Sequence, residues 1–196
     1  MGPSRSPCPT SKRPPVSASR PPWPCVPRPF PDEAFGSWIG RVAGRYRISV
    51  DELAQAADVF LDFGAECSTW LIASPPAESE LDRLSRVSGI STARLAAMRG
   101  ATSLTTRVFR YCFHCLFLNP VEVESPYWHA RWLEVDSRPC THHPDQWEQI
   151  TQTALRQHRN MAKLTRFISR RHAYRMRQRW DTSVAFSYAS IVRRRG

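Results

Sequence analysis

The chain has 196 residues, enough for one ordinary domain or two small ones with tails. Its net charge of +11 is unevenly spread: residues 1–30 carry five Lys/Arg and no acid, 31–153 eleven Arg against sixteen acids, and 154–196 twelve Lys/Arg against Asp181 alone. An acidic body between basic ends suits a polyanion, nucleic acid ahead of an anionic membrane surface, and the lack of a signal-type apolar segment or of a run near ~18 apolar residues argues against secretion and membrane insertion.

Residues 1–31 hold eleven of the seventeen prolines, among Ser and Arg. Such a stretch forms neither helix nor central strand and has little to bury, so 1–27 is expected to be a disordered N-terminal segment. Beyond it, Phe35, Trp38, Ile39, Val42 and Tyr46 recur at three- and four-residue steps and predict a first helix. Ser49 with Glu52 forms a capping box that opens a second helix, Val50 to about Ala57. Pro75 and Pro76 break the chain after Trp70 and Leu71. Ser79 with Asp82 reads as another cap, leading into Leu81, Leu84 and Val87. Gly89 ends that helix, and Ser91 caps a fourth one that carries Leu95 and Met98 and stops at Gly100.

Helix, glycine turn and helix over 79–99 resemble the core of a helix-turn-helix, with Arg94 and Arg99 placed for phosphate contact, although plain bundle packing produces the same pattern. From Val108 to about Trp147 helical periodicity is lost, and the alternation at 121–124 and 132–136 predicts short strands. From about Gln149 to Trp180 the chain is helix-forming again. There Leu155, Met161, Leu164, Phe167 and Ile168 make an apolar stripe among arginines. The fold expected is mainly α: a helix-turn-helix-like helical domain over 28–106, a small, partly β zinc-finger module over 107–148, and a basic helical tail over 149–196.

Cys112 and Cys115 form a C-x2-C pair, and Cys140 with His143 forms a C-x2-H pair after 24 intervening residues. Two-residue spacing lets a tight knuckle aim both side chains at one ion, and two knuckles complete the tetrahedron of a closed zinc site. Thiolates and an imidazole select zinc over magnesium or calcium. In a reducing, cytoplasmic setting such spacing favours metal over a disulfide. Spacing alone leaves the imidazole open among His143, its neighbour His142, and His114 inside the first pair. Cys8, Cys25 and Cys67 have no evident partner and read as free thiols.

These residues resemble the TniQ family of transposition proteins. The resemblance runs from about Pro27 to His143. It begins with Arg28-Pro29-Phe30-Pro31-Asp32-Glu33 and Ser37-Trp38-Ile39, and includes Gly89, Ser91 and Leu95. It is most specific at Arg110-Tyr111-Cys112 with Cys115-Leu116, at Pro126-Tyr127 and Arg131-Trp132, and at Cys140 with His143. It implies a non-catalytic accessory factor that selects targets for mobile elements, linking target DNA or a guide-RNA complex to an AAA+ ATPase regulator and hence to the transposase. It also implies that Cys112, Cys115, Cys140 and His143 are the ligands of a structural zinc ion, with Trp38, Tyr127 and Trp132 as packing positions. Homodimerisation is left open, and no membrane partner is expected.

Nine Lys/Arg lie between Arg156 and Arg179. Lys163, Arg166, Arg170, Arg171, Arg175, Arg177 and Arg179 are the candidate phosphate contacts, with Tyr174 and Trp180 able to stack on bases. The alternative is a solvated helix whose apolar stripe docks on the body. No Gly-rich phosphate loop, Ser/His/Asp order or acidic metal cluster is present, so no catalytic residue is assigned. Asp136, Asp145 and Glu148 read as scattered surface acids. The competing function is a zinc-containing helix-turn-helix transcription regulator.

Overall fold

The computed structural model describes residues 22–61, 63, 69–98, 100, 108–117, 126–134, 136–144 and 147–193, with side chains as far as Gln178. Residues 1–21 of the segment expected to be disordered, the strand at 121–124, and the residues Cys8, Cys67, Arg99 and Asp145 lie outside these. Residues 22–27 of that segment are instead held on the body, the Trp23 amide donating to the Val87 carbonyl (2.7 Å).

The molecule is mainly helical with one small sheet. Helix α1 (Phe35–Arg45) is its axis: Phe35, Trp38, Ile39, Val42 and Ala43 are all buried. A 3-10 turn at Trp70–Ile72 presses so close that a Cβ at Gly36 would run into the carbonyl oxygens of Trp70 and Leu71. The Trp38 indole N–H donates to the Pro27 carbonyl (2.9 Å) and ties the chain ahead of α1 onto the helix. At the start of α1, Glu33 lies buried and accepts from both Arg41 (2.8 and 2.9 Å) and Ser37 (2.9 Å). A buried carboxylate requires this full satisfaction, since an unpaired one costs several kcal/mol.

The capping box is as expected: α2 (Val50–Ala57) has Ser49 accepting from the Glu52 amide while Glu52 accepts from the Ser49 amide. Helix α3 (Glu78–Ser88) ends at Gly89 with φ +68, the left-handed turn that glycine tolerates. Ser79, expected as its cap, is inside the helix, because the chain enters helical geometry two residues earlier, after Ala77. Ser91 does cap α4 (Thr92–Ala96), accepting from the Arg94 amide, but α4 ends at Ala96, short of Gly100.

Strands β1 (Val108–Cys112) and β2 (Trp147–Thr151) pair antiparallel, with Phe109 opposite Ile150 and Tyr111 opposite Glu148. Two expectations are corrected here. The described residues of 132–136 form no strand: a 3-10 turn occupies Ala130–Leu133 and buries the adjacent Trp132 and Leu133, which a strand would send to opposite faces. Helix does not resume at Gln149, because β1 recruits 147–151 into the sheet. Only then come α6 (Gln152–Gln157) and α7 (Met161–Arg193), separated by a break at His158–Asn160.

Helix α7 packs on α1, burying Met161, Leu164 and Ile168 in the core that holds Trp38 and Leu95. Asn160 fastens its start, donating to the Ile48 carbonyl (2.7 Å) and accepting from the Lys163 amide (2.9 Å). The apolar stripe read in the sequence therefore docks on the body.

Candidate metal centre

Strand β1 carries Cys112 into the core, and the short helix α5 (Phe113–Phe117) turns the chain back so that Cys115 meets it. The Cys115 amide points at the Cys112 sulfur (3.5 Å), as in a metal knuckle. Cys140 and His143 approach from the far side. His143 Nδ1 lies 3.7, 3.4 and 3.7 Å from the sulfurs of Cys112, Cys115 and Cys140, and the Cys115–Cys140 sulfurs are 3.4 Å apart. All four ligand atoms lie within 4.8 Å of one another. Ligands at about 2.3 Å (S) and 2.0–2.1 Å (N) from one tetrahedral centre would stand roughly 3.5–3.8 Å apart, so the edges fit a zinc-sized ion. A disulfide needs about 2.05 Å between sulfurs, far below the spacing found.

Cys112 and Cys140 are buried, and Cys115 and His143 half-buried. Burial, reinforced by the neighbouring thiols, pushes the Cys115 thiol up to about 12. A metal ion binds the thiolate form, and a divalent cation at the centre supplies the charge that holds neighbouring thiolates together. His142, the adjacent alternative, is exposed. His114 stacks on His143 with ring centres 5.1 Å apart and stands outside the ligand set. Cys25 is an exposed free thiol.

Around the ligands lies an outer layer that the sequence reading missed. Glu148, expected as a surface acid, has a side chain only 12% exposed. It accepts from Tyr111 Oη (2.8 Å) and from Arg171 and Arg175 of α7 (3.2 and 3.3 Å), and pairs with His172 Nδ1 (2.7 Å). Burial works to raise its carboxyl, but the bonds from His172 and Tyr111 and the charge of Arg171 outweigh it and hold the group below its ordinary value. Burial also raises the Tyr111 phenol, which stays a neutral donor. The His172 ring stacks on Phe113, between the first two cysteines, at 3.5 Å and 9°. The metal knuckle is thereby clasped to α7. No residue pattern marks Glu148; only the strand register, which sets it opposite Tyr111, does so.

The expected phosphate contacts divide on inspection. Arg171 and Arg175 are taken up by Glu148, and Arg171 also donates to the Gln149 carbonyl (2.6 Å). Lys163, Arg166, Arg170 and Arg177 are exposed on α7. Arg94 is exposed but donates to the Pro29 carbonyl (3.2 Å). The side chain of Arg179 lies outside the described residues. Tyr127 packs on Phe30 (4.3 Å), and Trp132 on His129 and Trp128, as packing positions do.

Neither the curated proteins nor the solved structures yield a match. A family model does: TniQ, over residues 24–146, a stretch running from the segment tied onto α1 through all four candidate ligands. The chain belongs to the TniQ family, whose proteins are accessory to transposition.

Proposed function

We propose that this protein is a non-catalytic adaptor for DNA transposition, one that joins target DNA or a guide complex to an AAA+ ATPase regulator. The observation that carries the reading is the family match over residues 24–146, which takes in α1 to α4 and the Cys/His cluster. In this reading Cys112, Cys115, Cys140 and His143 hold a structural zinc ion. Four protein ligands fill the tetrahedron and leave no position for a substrate or activated water. The ion fixes β1, α5 and the 140–143 loop, and through Phe113 and Glu148 it fixes the register of α7. The exposed cations of α7, Lys163, Arg166, Arg170 and Arg177, then form the nucleic-acid face.

The regulator reading rests on the α3–Gly89–α4 pair. It is the weaker one, because Arg94, the described cation of α4, is turned back onto Pro29. Co-purification with the AAA+ ATPase of the same element, with and without target DNA, tests the adaptor reading. Recovery of a complex supports it. Sequence-specific DNA binding by the isolated protein, with no ATPase association, would replace it with the regulator. Cobalt(II) in place of zinc should give the intense visible bands of a tetrahedral thiolate site.

A further inference from the structure

A cavity of about 610 Å³ opens between α1, α7 and the chain ahead of α1, on residues that take no part in the metal centre. Val26, Phe117 and Met161 give it an apolar lining. Arg45, at the end of α1, and Arg166 and Arg170, one turn apart on α7, give it charge. A fourth cation in the wall, Arg41, is already held by Glu33. The other three are exposed, and among the described residues none of them forms an ion pair and no carboxylate lines the cavity.

A guanidinium is permanently charged, and its planar fork matches phosphate oxygens. A duplex, which offers phosphates from a convex surface, needs only a cationic face and leaves an apolar hollow unused. An unpaired nucleotide uses both parts: its phosphates meet the arginines while its ring leaves water for the apolar wall. The volume lies within the range of small-ligand pockets.

We propose that this cavity takes one unpaired nucleotide of a nucleic-acid strand, with its phosphates on Arg45, Arg166 and Arg170 and its base against Val26, Phe117 and Met161. The proposal rests on the nucleic-acid reading of α7 given above and adds a place and a strand state to it.

The test uses the full zinc-loaded chain, a fluorescein-labelled single-stranded oligonucleotide, and the same sequence as a duplex. Anisotropy titrations are run over a range of salt. The single strand is expected to bind about tenfold tighter than the duplex, the scale of one stacked base. Arg166→Ala with Arg170→Ala should weaken the single strand and flatten its salt dependence by roughly 0.7 per lost contact. Ser169→Trp, from an exposed position in the cavity wall, should weaken the single strand and spare the duplex. The exposed thiol of Cys25, also in that wall, should alkylate more slowly under saturating single strand, read by peptide mass spectrometry. Equal binding of duplex, an unaffected Ser169→Trp protein of unchanged melting temperature, or unprotected Cys25 would each overturn the cavity while leaving the nucleic-acid reading intact. Binding of neither strand form would remove both. Protection of Cys25 by a glutamate-rich peptide, and not by the oligonucleotide, would overturn the proposal in favour of an acidic protein partner.

Discussion

His143 presents Nδ1 to all three cysteine sulfurs at 3.4–3.7 Å, whereas His142 is exposed and stands outside the cluster. His143→Ala is therefore expected to lose its zinc, and His142→Ala to keep about one ion per chain as a closed four-ligand site should. Elemental analysis of the purified variants decides this, and retention by His143→Ala would refute the ligand set. His129 is one pH-sensitive residue of the body. Burial lowers its imidazole below the ordinary value, against a smaller opposing pull from Asp32. The folded state thus favours the neutral ring. The resulting stability is present above the unfolded pKa, about 6.5, and is lost as pH falls from there through the folded value. The melting temperature should fall over that window in the wild type and less so in His129→Gln; equal slopes would exclude this residue. The Cys/His cluster was legible in the sequence because metal chemistry fixes both residue type and spacing. Glu148 was not, because its partners Tyr111 and Arg171 lie 37 and 23 residues away, and only pairing brings them together.

The helices were legible for a similar local reason. The face of α1 and the capping box of α2 are written within single turns, and both form as read. The sheet was not legible, since 147–151 extends only because β1 offers it hydrogen bonds, and residues 130–133 coil because Trp132 and Leu133 must both enter the core. The contact of α1 with the 3-10 turn at Trp70–Ile72 has room for nothing larger than glycine at position 36. Gly36→Ala should cost about 1–3 kcal/mol as an overpacked core, despite the better helix propensity of alanine. Urea denaturation measures this, and a neutral or stabilising result would mean the two elements are not in contact. Helix α7 divides its arginines by role. Glu148→Ala leaves Arg171 and His172 facing a void and should destabilise by about 2 kcal/mol, the worth of a hydrogen bond to a charged group. Arg166→Ala, at an exposed position, should leave stability unchanged and lower nucleic-acid affinity. The reverse pattern would mean that α7 is not docked through Glu148.

At the scale of the molecule, the basic segment is no detachable tail. Leu155, Met161, Leu164 and Ile168 are in the core, so removing residues 154–196 deletes part of the body along with its charge. Nucleic-acid binding by α7 is better probed by charge substitutions than by truncation. The same continuity governs metal removal. Cys112, Leu116 and Cys140 belong to one core with Trp38, Trp128, Ile150 and Leu164, and no separate finger core exists among the described residues. A zinc ion bound to the folded chain and not to the unfolded one stabilises whatever unfolds together with its site. If the site were a hanging module, chelation would loosen only 108–117 and 136–144 and leave the α1–α7 packing intact. The shared core and the Glu148 clasp make the opposite expectation. Chelation should lower the temperature of one cooperative transition, and amide exchange should quicken in α1 and α7 as well as around the cysteines. Exchange that rises only near the four ligands, with α1 unaffected, would show that metal site and helical body are stabilised separately.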